Sequence, residues 1–342
     1  MAEFQLNQSN CTSALKPPIW LFPTKGCDVA FYCFINPILV LLGFVMNLLT
    51  VFGLRRVPEK YNATIWLLKT LAILDGIYLL LVFVLSSTNT ILKFNWIPEI
   101  VTIYKYIHII LQPLVLLAHC LIAWIVVLVT VDRYLAVCKP MDIKWRDLRR
   151  VKGSVKWLVI LAFVLSAPRF CQEALYFYRQ ERCIGVNNTE HNTCLTIEHL
   201  SSAFRIFNKV SYSVLASFGP LIILIILNVR IASVLRAMMK KRRQMSRQMN
   251  SEGSLTKTLV AVVAVFVVCQ MPETIVHFIY FAGVVADSSV WSCAVGITHA
   301  LVSLNSSLNF IIYYSSNRRF KRIFSGMLSC HRRRRTDVVL VV

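Results

Sequence analysis

The chain has 342 residues, of which 57% are apolar and only 15% are charged, and its mean hydropathy is +0.62. An ordinary soluble domain is about 45–50% apolar and about 25% charged. The composition therefore excludes a typical soluble globular protein, a disordered chain and a small disulfide scaffold, and favours a helical membrane protein with several spans.

Seven apolar stretches are long enough to cross a bilayer about 30 Å thick, which takes about 20 helical residues. In chain order they cover residues 32–54, 65–92, 103–137, 155–177, 207–235, 258–286 and 290–314. We expect an all-α membrane protein in which residues 32–314 form a seven-helix bundle. The fourth span is the weakest prediction, because Pro168 and Arg169 interrupt it. Residues 1–31 lack a basic start followed by an apolar core, so no removable signal peptide is expected there.

The positions of the basic residues predict the orientation of the bundle. The 37 Lys and Arg against 16 Asp and Glu give a formal charge of +21, and most of these cations lie in the loops after spans one, three and five and in the C-terminal tail. Cytoplasmic loops carry such an excess. We therefore predict a plasma-membrane protein with an extracellular N-terminal tail (1–31) and a cytoplasmic tail (315–342). Nucleic acid is not expected as a partner, since no soluble domain carries a basic face.

Both tails carry candidate modification sites. The sequons at Asn7, Asn10 and Asn187 lie on the predicted outer side, where glycans are attached. Residues 317–328 place apolar side chains on one face and basic ones on the other, which predicts a short amphipathic helix at the inner membrane surface. Cys330 and the four arginines after it are a candidate palmitoylation site and an anchor to anionic lipid. A free thiol in a solvated basic tail is the alternative.

Several spans contain residues that the lipid does not favour. An ionised side chain at the middle of the membrane costs about 2.5–3.5 kcal/mol on insertion scales, so each one needs a reason. Asp75 lies inside span two, Asp132 and Arg133 end span three, and Glu273 lies inside span six. These residues are the first candidates for function.

The sequence around Arg133 resembles the pattern of one protein family, and single residues in the other spans fit the same pattern. The segment 131–140, Val-Asp-Arg-Tyr-Leu-Ala-Val-Cys-Lys-Pro, resembles the end of the third helix of rhodopsin-like (class A) G-protein-coupled receptors. The matching residues in the other spans are Asn47, Leu71, Ala72, Asp75, Trp157, Pro220, Phe266, Cys269, Pro272, Asn305, Ser306, Asn309 and Tyr313. The resemblance implies a receptor without catalysis of its own that signals to a heterotrimeric G protein, with arrestin as a further partner.

Four departures from the family pattern narrow this resemblance. Phe310 replaces a proline, Gln270 replaces a tryptophan, Asn228 replaces a tyrosine, and His108 replaces the cysteine that staples the second outer loop. Together with the stretch 119–124, they resemble the invertebrate FMRFamide-receptor-like branch, which implies an extracellular peptide agonist. A lipid or other small molecule is the alternative ligand. A transporter or channel is a distant alternative, because the inner halves of spans two, four and six are almost wholly apolar.

The resemblance also assigns roles to two polar groups. In the family, the residues at Asn47, Asp75, Asn305, Ser306 and Asn309 converge and bind a sodium ion, although a water network is the alternative, and Ile122 stands where a serine usually helps. The activation switch and the G-protein-coupling residues would be Asp132, Arg133, Tyr134, Glu252, Pro272 and Tyr313. Glu252 would hold Arg133 in the inactive state, since it lies about 30 Å along the helix from Pro272. A solvated acid in a basic loop is the alternative role for Glu252.

Helical spacing predicts the ligand pocket. One face of span three carries His108, Gln112 and His119, one face of span six carries Gln270, Glu273, His277 and Tyr280, and span seven adds His299. The acid Glu273 suits a cationic group such as the guanidinium of a peptide that ends in Arg-aromatic-amide. The alternative is that Glu273 pairs internally with a histidine. No tight metal spacing appears, so no cofactor is expected apart from the sodium ion.

The cysteines leave the disulfides open. Seven of them lie outside or near the outer face, so at least one stays unpaired in an oxidising compartment. Because His108 replaces the usual partner, the candidate pairs are Cys183–Cys194 within the loop and Cys27–Cys293 between the tail and span seven.

Overall fold

A computed structural model describes residues 30–55, 63–94, 100–139, 147–182, 203–204, 206–208, 210–244, 251–281, 288–316, 321 and 325. Within these ranges the chain is helical and contains no strand. The long helices are α1 (Asn36–Arg55), α2 (Ala63–Phe94), α3 (Ile100–Cys138), α4 (Leu148–Arg182), α5 (Gly219–Gln244), α6 (Ser251–Phe281) and α7 (Ser288–Ser316). The π-helical segments Ala30–Ile35 and Ser213–Phe218 lead into α1 and α5.

The outer surface of the described helices is apolar. Large side chains such as Leu42, Val164, Ile226 and Val268 are exposed along it, and such a surface is stable only in lipid. Among the described residues, six spans are long and apolar enough to cross a membrane, and α6 adds the shorter apolar stretch Val260–Val276. The prediction of an all-α seven-helix membrane bundle is confirmed. The amphipathic helix predicted at 317–328 lies outside the described residues, apart from residues 321 and 325.

The helix α3 is the centre of the bundle. It packs against α2, α4, α5 and α6, while α1 and α7 pack against each other and join α2 to α6. Leu67, Leu79, Ile125, Leu224 and Val263 fill the apolar core between these helices. This arrangement brings polar residues of α3 into contact with four neighbours at different depths.

The fourth span contains a proline that its helix accommodates. Pro168 does not interrupt α4, which continues from Leu148 to Arg182 and exceeds the predicted span 155–177 at both ends. A break inside lipid would leave several backbone groups without partners, which costs more than the one hydrogen bond that a proline removes. Pro168 and Arg169, which interrupt the apolar run of the fourth span in the sequence, therefore do not end its helix.

In the fifth span, Pro220 follows a π-helical turn. The Gly219 N–H bonds to the Val214 carbonyl five residues earlier, and Pro220 has no N–H with which to continue that pattern to Leu215. The Trp124 indole of α3 donates to this Leu215 carbonyl at 2.7 Å. A side chain from the central helix thus satisfies the backbone acceptor that the proline leaves open.

The helices α1 and α7 approach closely at Gly43. A Cβ atom at this position would overlap Ser307 and press on Leu79. The contact is reinforced where Ser303 Oγ donates to Asn36 Oδ1 at 2.7 Å and Ser307 Oγ reaches the Leu39 carbonyl at 3.2 Å. This close approach fixes the position of the polar residues on α7.

Candidate functional site: buried polar clusters along the bundle

The innermost polar cluster surrounds Arg133 at the end of α3. Asp132 and Arg133 are both only 5% exposed. Asp132 Oδ2 accepts from Arg133 Nη2 at 2.5 Å and from Thr64 Oγ1 of α2 at 2.5 Å, and Arg133 Nη2 also contacts Thr64 Oγ1. Burying these charges is tolerable because each has a partner of opposite charge or a hydroxyl.

A second cluster lies deeper in the bundle, around Asp75. Asn309 Nδ2 donates to Asp75 Oδ2 at 2.8 Å, and Asn47 Nδ2 donates to the Ser306 carbonyl at 2.8 Å. The Ser306 hydroxyl also bonds to the Asp75 carboxylate, and Asn305 is buried beside these residues on α7. The structure therefore brings α1, α2 and α7 together at the residues predicted to converge.

Two acceptor atoms in this cluster have no hydrogen-bond partner in the described part of the chain. Asp75 Oδ1 and Asn47 Oδ1 are buried and lack a hydrogen bond among the described residues. Unpartnered buried oxygens suit a hard cation or a small number of water molecules. The donor set thus fits a sodium ion, although Ile122, which is also buried, offers it no oxygen.

The third cluster joins α3, the fifth span and α6. His119 Nδ1 lies 2.7 Å from the Tyr212 hydroxyl, and His119 Nε2 lies 3.2 Å from Gln270 Oε1 and 3.6 Å from Glu273 Oε2. The Gln270 amide donates to the same Glu273 oxygen, and the Tyr78 ring packs 5.8 Å from the His119 ring. One neutral tautomer of His119 satisfies this chain, with Tyr212 donating to Nδ1 and Nε2–H donating to Gln270.

The outermost cluster lies between α3 and α4. Glu173 of α4 is buried, and its carboxylate is 3.4 Å from His108 Nδ1 and 3.5 Å from Arg169 Nε. Beside this pair, the Asn208 amide of the fifth span donates to Gln172 Oε1 at 2.7 Å and to the Pro168 carbonyl at 3.2 Å. The fourth helix therefore carries a buried ion pair that is distinct from the cluster at Glu273.

Comparison with known proteins places this architecture in a family. Residues 46–313 match the family described as 7 transmembrane receptor (rhodopsin family). The chain belongs to this family. The resemblance to rhodopsin-like receptors that the sequence motifs indicate is thus confirmed.

The receptor is similar to three named relatives over part of its length. It is 25% identical over 293 residues to the FMRFamide receptor of Drosophila melanogaster, covering 83% of this chain and 51% of that protein. It is 28% identical over 204 residues to the B2 bradykinin receptor of Oryctolagus cuniculus, covering 57% and 52%. It is 22% identical over 240 residues to the sex peptide receptor of Drosophila melanogaster, covering 62% and 53%. The chain spans about half the length of these relatives.

The predicted ligand face of the receptor divides between two clusters. His119, Gln270 and Glu273 come together, in the internal pairing of Glu273 that was the alternative to a free acid. His108 instead contacts Glu173 of α4. Gln112 and His299 are partly buried. The side chains of His277 and Tyr280 lie outside the described residues, so a role of this face in ligand binding stays a prediction.

Other predicted positions are placed only in part. Tyr134 is partly buried and Pro272 lies inside α6. Cys293 is disulfide-bonded to a cysteine that is not among the described residues. The side chains of the remaining predicted positions lie outside the described part of the chain: Glu252, Tyr313, Asn7, Asn10, Asn187, Cys27, Cys183, Cys194 and Cys330.

Three functional candidates were missed by the sequence prediction. Glu173 is an acid inside predicted span four, and its position alone was a usable signal. Thr64 and Tyr212 gave no such signal, because a hydroxyl in a span is common and only the packing of two helices brings each to its partner.

Proposed function

We propose that this receptor binds a peptide agonist from outside the cell and passes the signal to a heterotrimeric G protein at the cytoplasmic side of the plasma membrane. The observation that carries the proposal is the buried acid Glu273, which is linked through Gln270 and His119 to Tyr212 across three helices. The names of two relatives, the FMRFamide receptor and the sex peptide receptor, support a peptide ligand.

A cationic group of the agonist would compete for the Glu273 carboxylate. At present this charge is stabilised by the Gln270 amide and by His119 at 3.6 Å. A guanidinium offers the same oxygens two charge-assisted hydrogen bonds, which are about twice as strong as neutral ones. Binding of such a group would therefore release Gln270 and His119 from the acid.

The release of Gln270 and His119 from Glu273 would act on α6 through Pro272. This proline lies inside α6, between Gln270 and Glu273, so the two side chains of the cluster lie on either side of the helix position that bends most easily. A change in their bonding would alter the kink and move the inner half of α6. The agonist then shifts the population toward the state with an open inner cleft, because it binds that state better.

The inner end of the bundle would receive this movement at Arg133. Opening of α6 would expose Arg133, whose present partners include Asp132 and Thr64, to the G protein. The basic inner segments 139–152 and 230–257 would contact the G protein or anionic lipid, and arrestin would compete for the same cleft. Glu252 would add a weak bond to Arg133 in the closed state.

We further propose a sodium ion at Asp75. The support is the pair of unpartnered acceptors, Asp75 Oδ1 and Asn47 Oδ1, together with the buried Asn309 and Ser306. Asp75 would hold the ion through its carboxylate, and Asn47 and Ser306 would add neutral oxygens. The ion would stabilise the inactive packing of α1, α2 and α7.

The remaining proposals concern the two membrane faces. Glycans at Asn7, Asn10 and Asn187 would mark the outer side, where the pairs Cys183–Cys194 and Cys27–Cys293 would form. A palmitoyl chain on Cys330 would hold the basic tail against anionic lipid inside. The bonded state of Cys293 is compatible with the second disulfide pair.

The test is a peptide-library screen on cells that express the receptor, with calcium and cyclic AMP read in parallel. Peptides ending in Arg-aromatic-amide are compared with peptides carrying citrulline, which has the same shape as arginine but no charge. We expect the charged peptides to be more potent on the wild type and to lose this advantage on Glu273→Gln. An equal advantage on both receptors would remove Glu273 from the ligand site, and a library without any active peptide would refute the ligand class.

A further inference from the structure

A cavity lies between α3, α4 and the fifth span and shares Tyr212 with the cluster around Glu273. It contains about 480 Å³ of empty space, part of which is open to the surroundings. Its apolar lining includes Leu116, Ala162 and Leu215. Its polar lining comes from Cys120, Ser166, Arg169, Asn208, Ser211 and Tyr212. The cavity therefore offers a ligand both a cation and an apolar wall.

The two kinds of lining residue lie at different depths. Arg169 follows Ala162 by seven residues, which is about 10 Å along α4, and α4 runs toward the proposed outer face. On the fifth span, which runs inward, the polar Asn208 likewise precedes the apolar Leu215. The guanidinium and the amide therefore lie at the outer end of the cavity and Ala162 and Leu215 at its inner end, with the hydroxyls of Ser166 and Tyr212 between them. A charged outer end and an apolar inner end match the polarity of a lipid molecule in the outer leaflet.

Arg169 is an incompletely satisfied cation in this position. Its side chain is 19% exposed and lies six residues, or about 9 Å, before the end of the apolar stretch Leu148–Leu175. Its Nε is buried and has no hydrogen-bond partner among the described residues, and the Glu173 carboxylate 3.5 Å away is shared with His108. A cation at this depth gains from an anionic ligand, since charge-assisted hydrogen bonds are strong where water is scarce.

The surroundings of the cavity indicate where a ligand would enter. Val164 on α4 and Val214 on the fifth span are 62% and 54% exposed on the apolar outer surface beside the lining residues. These side chains place lipid beside the lining residues Leu165 and Leu215, so a molecule dissolved in the bilayer would have a short path to the cavity. A chain longer than the cavity would continue along these side chains into the lipid.

We propose that this cavity binds a single-chain anionic amphiphile, with its carboxylate or phosphate on Arg169 and the first part of its chain between Leu116, Ala162 and Leu215. A fatty acid and a lysophospholipid share this chemistry. Because Tyr212 lines the cavity and its hydroxyl bonds to His119 at 2.7 Å, occupation of the site changes the cluster at Glu273. The site is thus a regulatory input from the membrane.

Photo-crosslinking of the full receptor in phosphatidylcholine nanodiscs tests this site without any agonist. Three probes carry the same diazirine acyl chain: palmitate, a lysophosphatidic acid and the neutral monoacylglycerol. We expect saturable labelling of the cavity segments of α3, α4 and the fifth span by at least one anionic probe, with about tenfold weaker apparent affinity for the neutral one, as one charge-assisted contact gives. The stronger anionic probe identifies the head group. Equal labelling by all three probes, or labelling that does not saturate, overturns the proposal.

Two variants separate an anion site from a purely structural ion pair. Arg169→Gln should weaken the anionic probe about tenfold and leave the neutral probe unchanged, whereas Glu173→Gln should strengthen the anionic probe because it removes the competing carboxylate. If Arg169 only holds Glu173, both variants will lower the labelling alike.

Further variants guard against misfolding and non-specific charge effects. Leu165→Trp fills the cavity but keeps Arg169, and should abolish saturable labelling by every probe. The matched control Arg149→Gln removes an exposed arginine near the inner end of α4 and should change nothing. Unaltered labelling of Leu165→Trp would place the probe elsewhere and refute the site even if Arg169→Gln does not fold.

Discussion

The inner and outer halves of the bundle stabilise their buried polar groups in different ways. In the inner half, Asp132 and Arg133 are adjacent in sequence and neutralise each other at 2.5 Å, so each charge has its partner within one helix, and Thr64 of α2 adds a hydroxyl. In the outer half, His119 needs partners from the fifth span and from α6. The inner cluster is therefore locally stable, whereas the outer cluster exists only while three helices keep their positions. We expect an element that responds to a ligand to depend on contacts between several helices, as the outer cluster does.

The largest expected effect concerns the α1–α7 contact that supports both halves. Gly43→Ala should lower the thermal unfolding midpoint by several degrees and reduce surface expression, because overpacking costs about 1–3 kcal/mol and a Cβ here overlaps Ser307. Gly76→Ala is the matched control, since its Cβ would meet only Phe44 at an ordinary 4.0 Å. Equal unfolding midpoints for the two variants would contradict the close approach.

The next effect tests the sodium proposal. Asp75→Asn should abolish the dependence of agonist affinity on sodium concentration, because it removes the anionic oxygen from the cluster around Asn309. Radioligand competition in sodium and in N-methylglucamine chloride measures this. Wild-type affinity that is independent of sodium would favour the water network and refute the ion.

A smaller effect should separate the outer half from the inner half. Tyr212→Phe removes one hydrogen bond to His119, worth about 0.5–1.5 kcal/mol, and should alter both basal signalling and agonist potency. Thr64→Val removes a hydroxyl from the inner cluster and should alter basal signalling with agonist affinity in the absence of G protein unchanged. If both variants change that affinity equally, the two halves do not have separate roles.

The smallest effect is expected for Glu252. Arg133 already has the charged partner Asp132, so Glu252→Ala should raise basal cyclic AMP or calcium signalling at most severalfold at equal surface expression. The variant Glu252→Asp, which keeps the charge, should lie between the wild type and Glu252→Ala. Basal signalling that does not change in Glu252→Ala would mean that the local partners of Arg133 are sufficient.

The sequence predicted the architecture well because lipid imposes a simple rule on it. Every backbone polar group must be bonded within the membrane, so long apolar stretches are helices. The same rule explains why α4 continues through Pro168, although this proline and Arg169 interrupt the apolar run of the span. The helices extend beyond the predicted apolar stretches, as α4 does at Leu148, so the positions of their ends could not be derived from hydropathy.

The clusters were predictable where a motif or a buried charge marks them. Asp75 and Asn309 were expected together, and the structure joins them at 2.8 Å. The partner of His108 was not foreseen, because helical spacing gives the face of one helix and says nothing of which neighbour that face meets. The side chains of Glu173 and His108 are 65 positions apart in sequence, and only the packing of α3 on α4 brings them together.

The extra residue in the π-helical turn Ser213–Phe218 separates the helical register of the residues before the turn from the register of the residues after it. One additional residue rotates everything before it by about 100° relative to the helix that follows, and the Trp124 indole holds the turn in place. Substitutions above the turn can therefore present new side chains to ligands while the surface below it keeps its contacts with α3 and α6. A receptor with this helix can therefore change the ligands that it prefers while its intracellular surface stays the same.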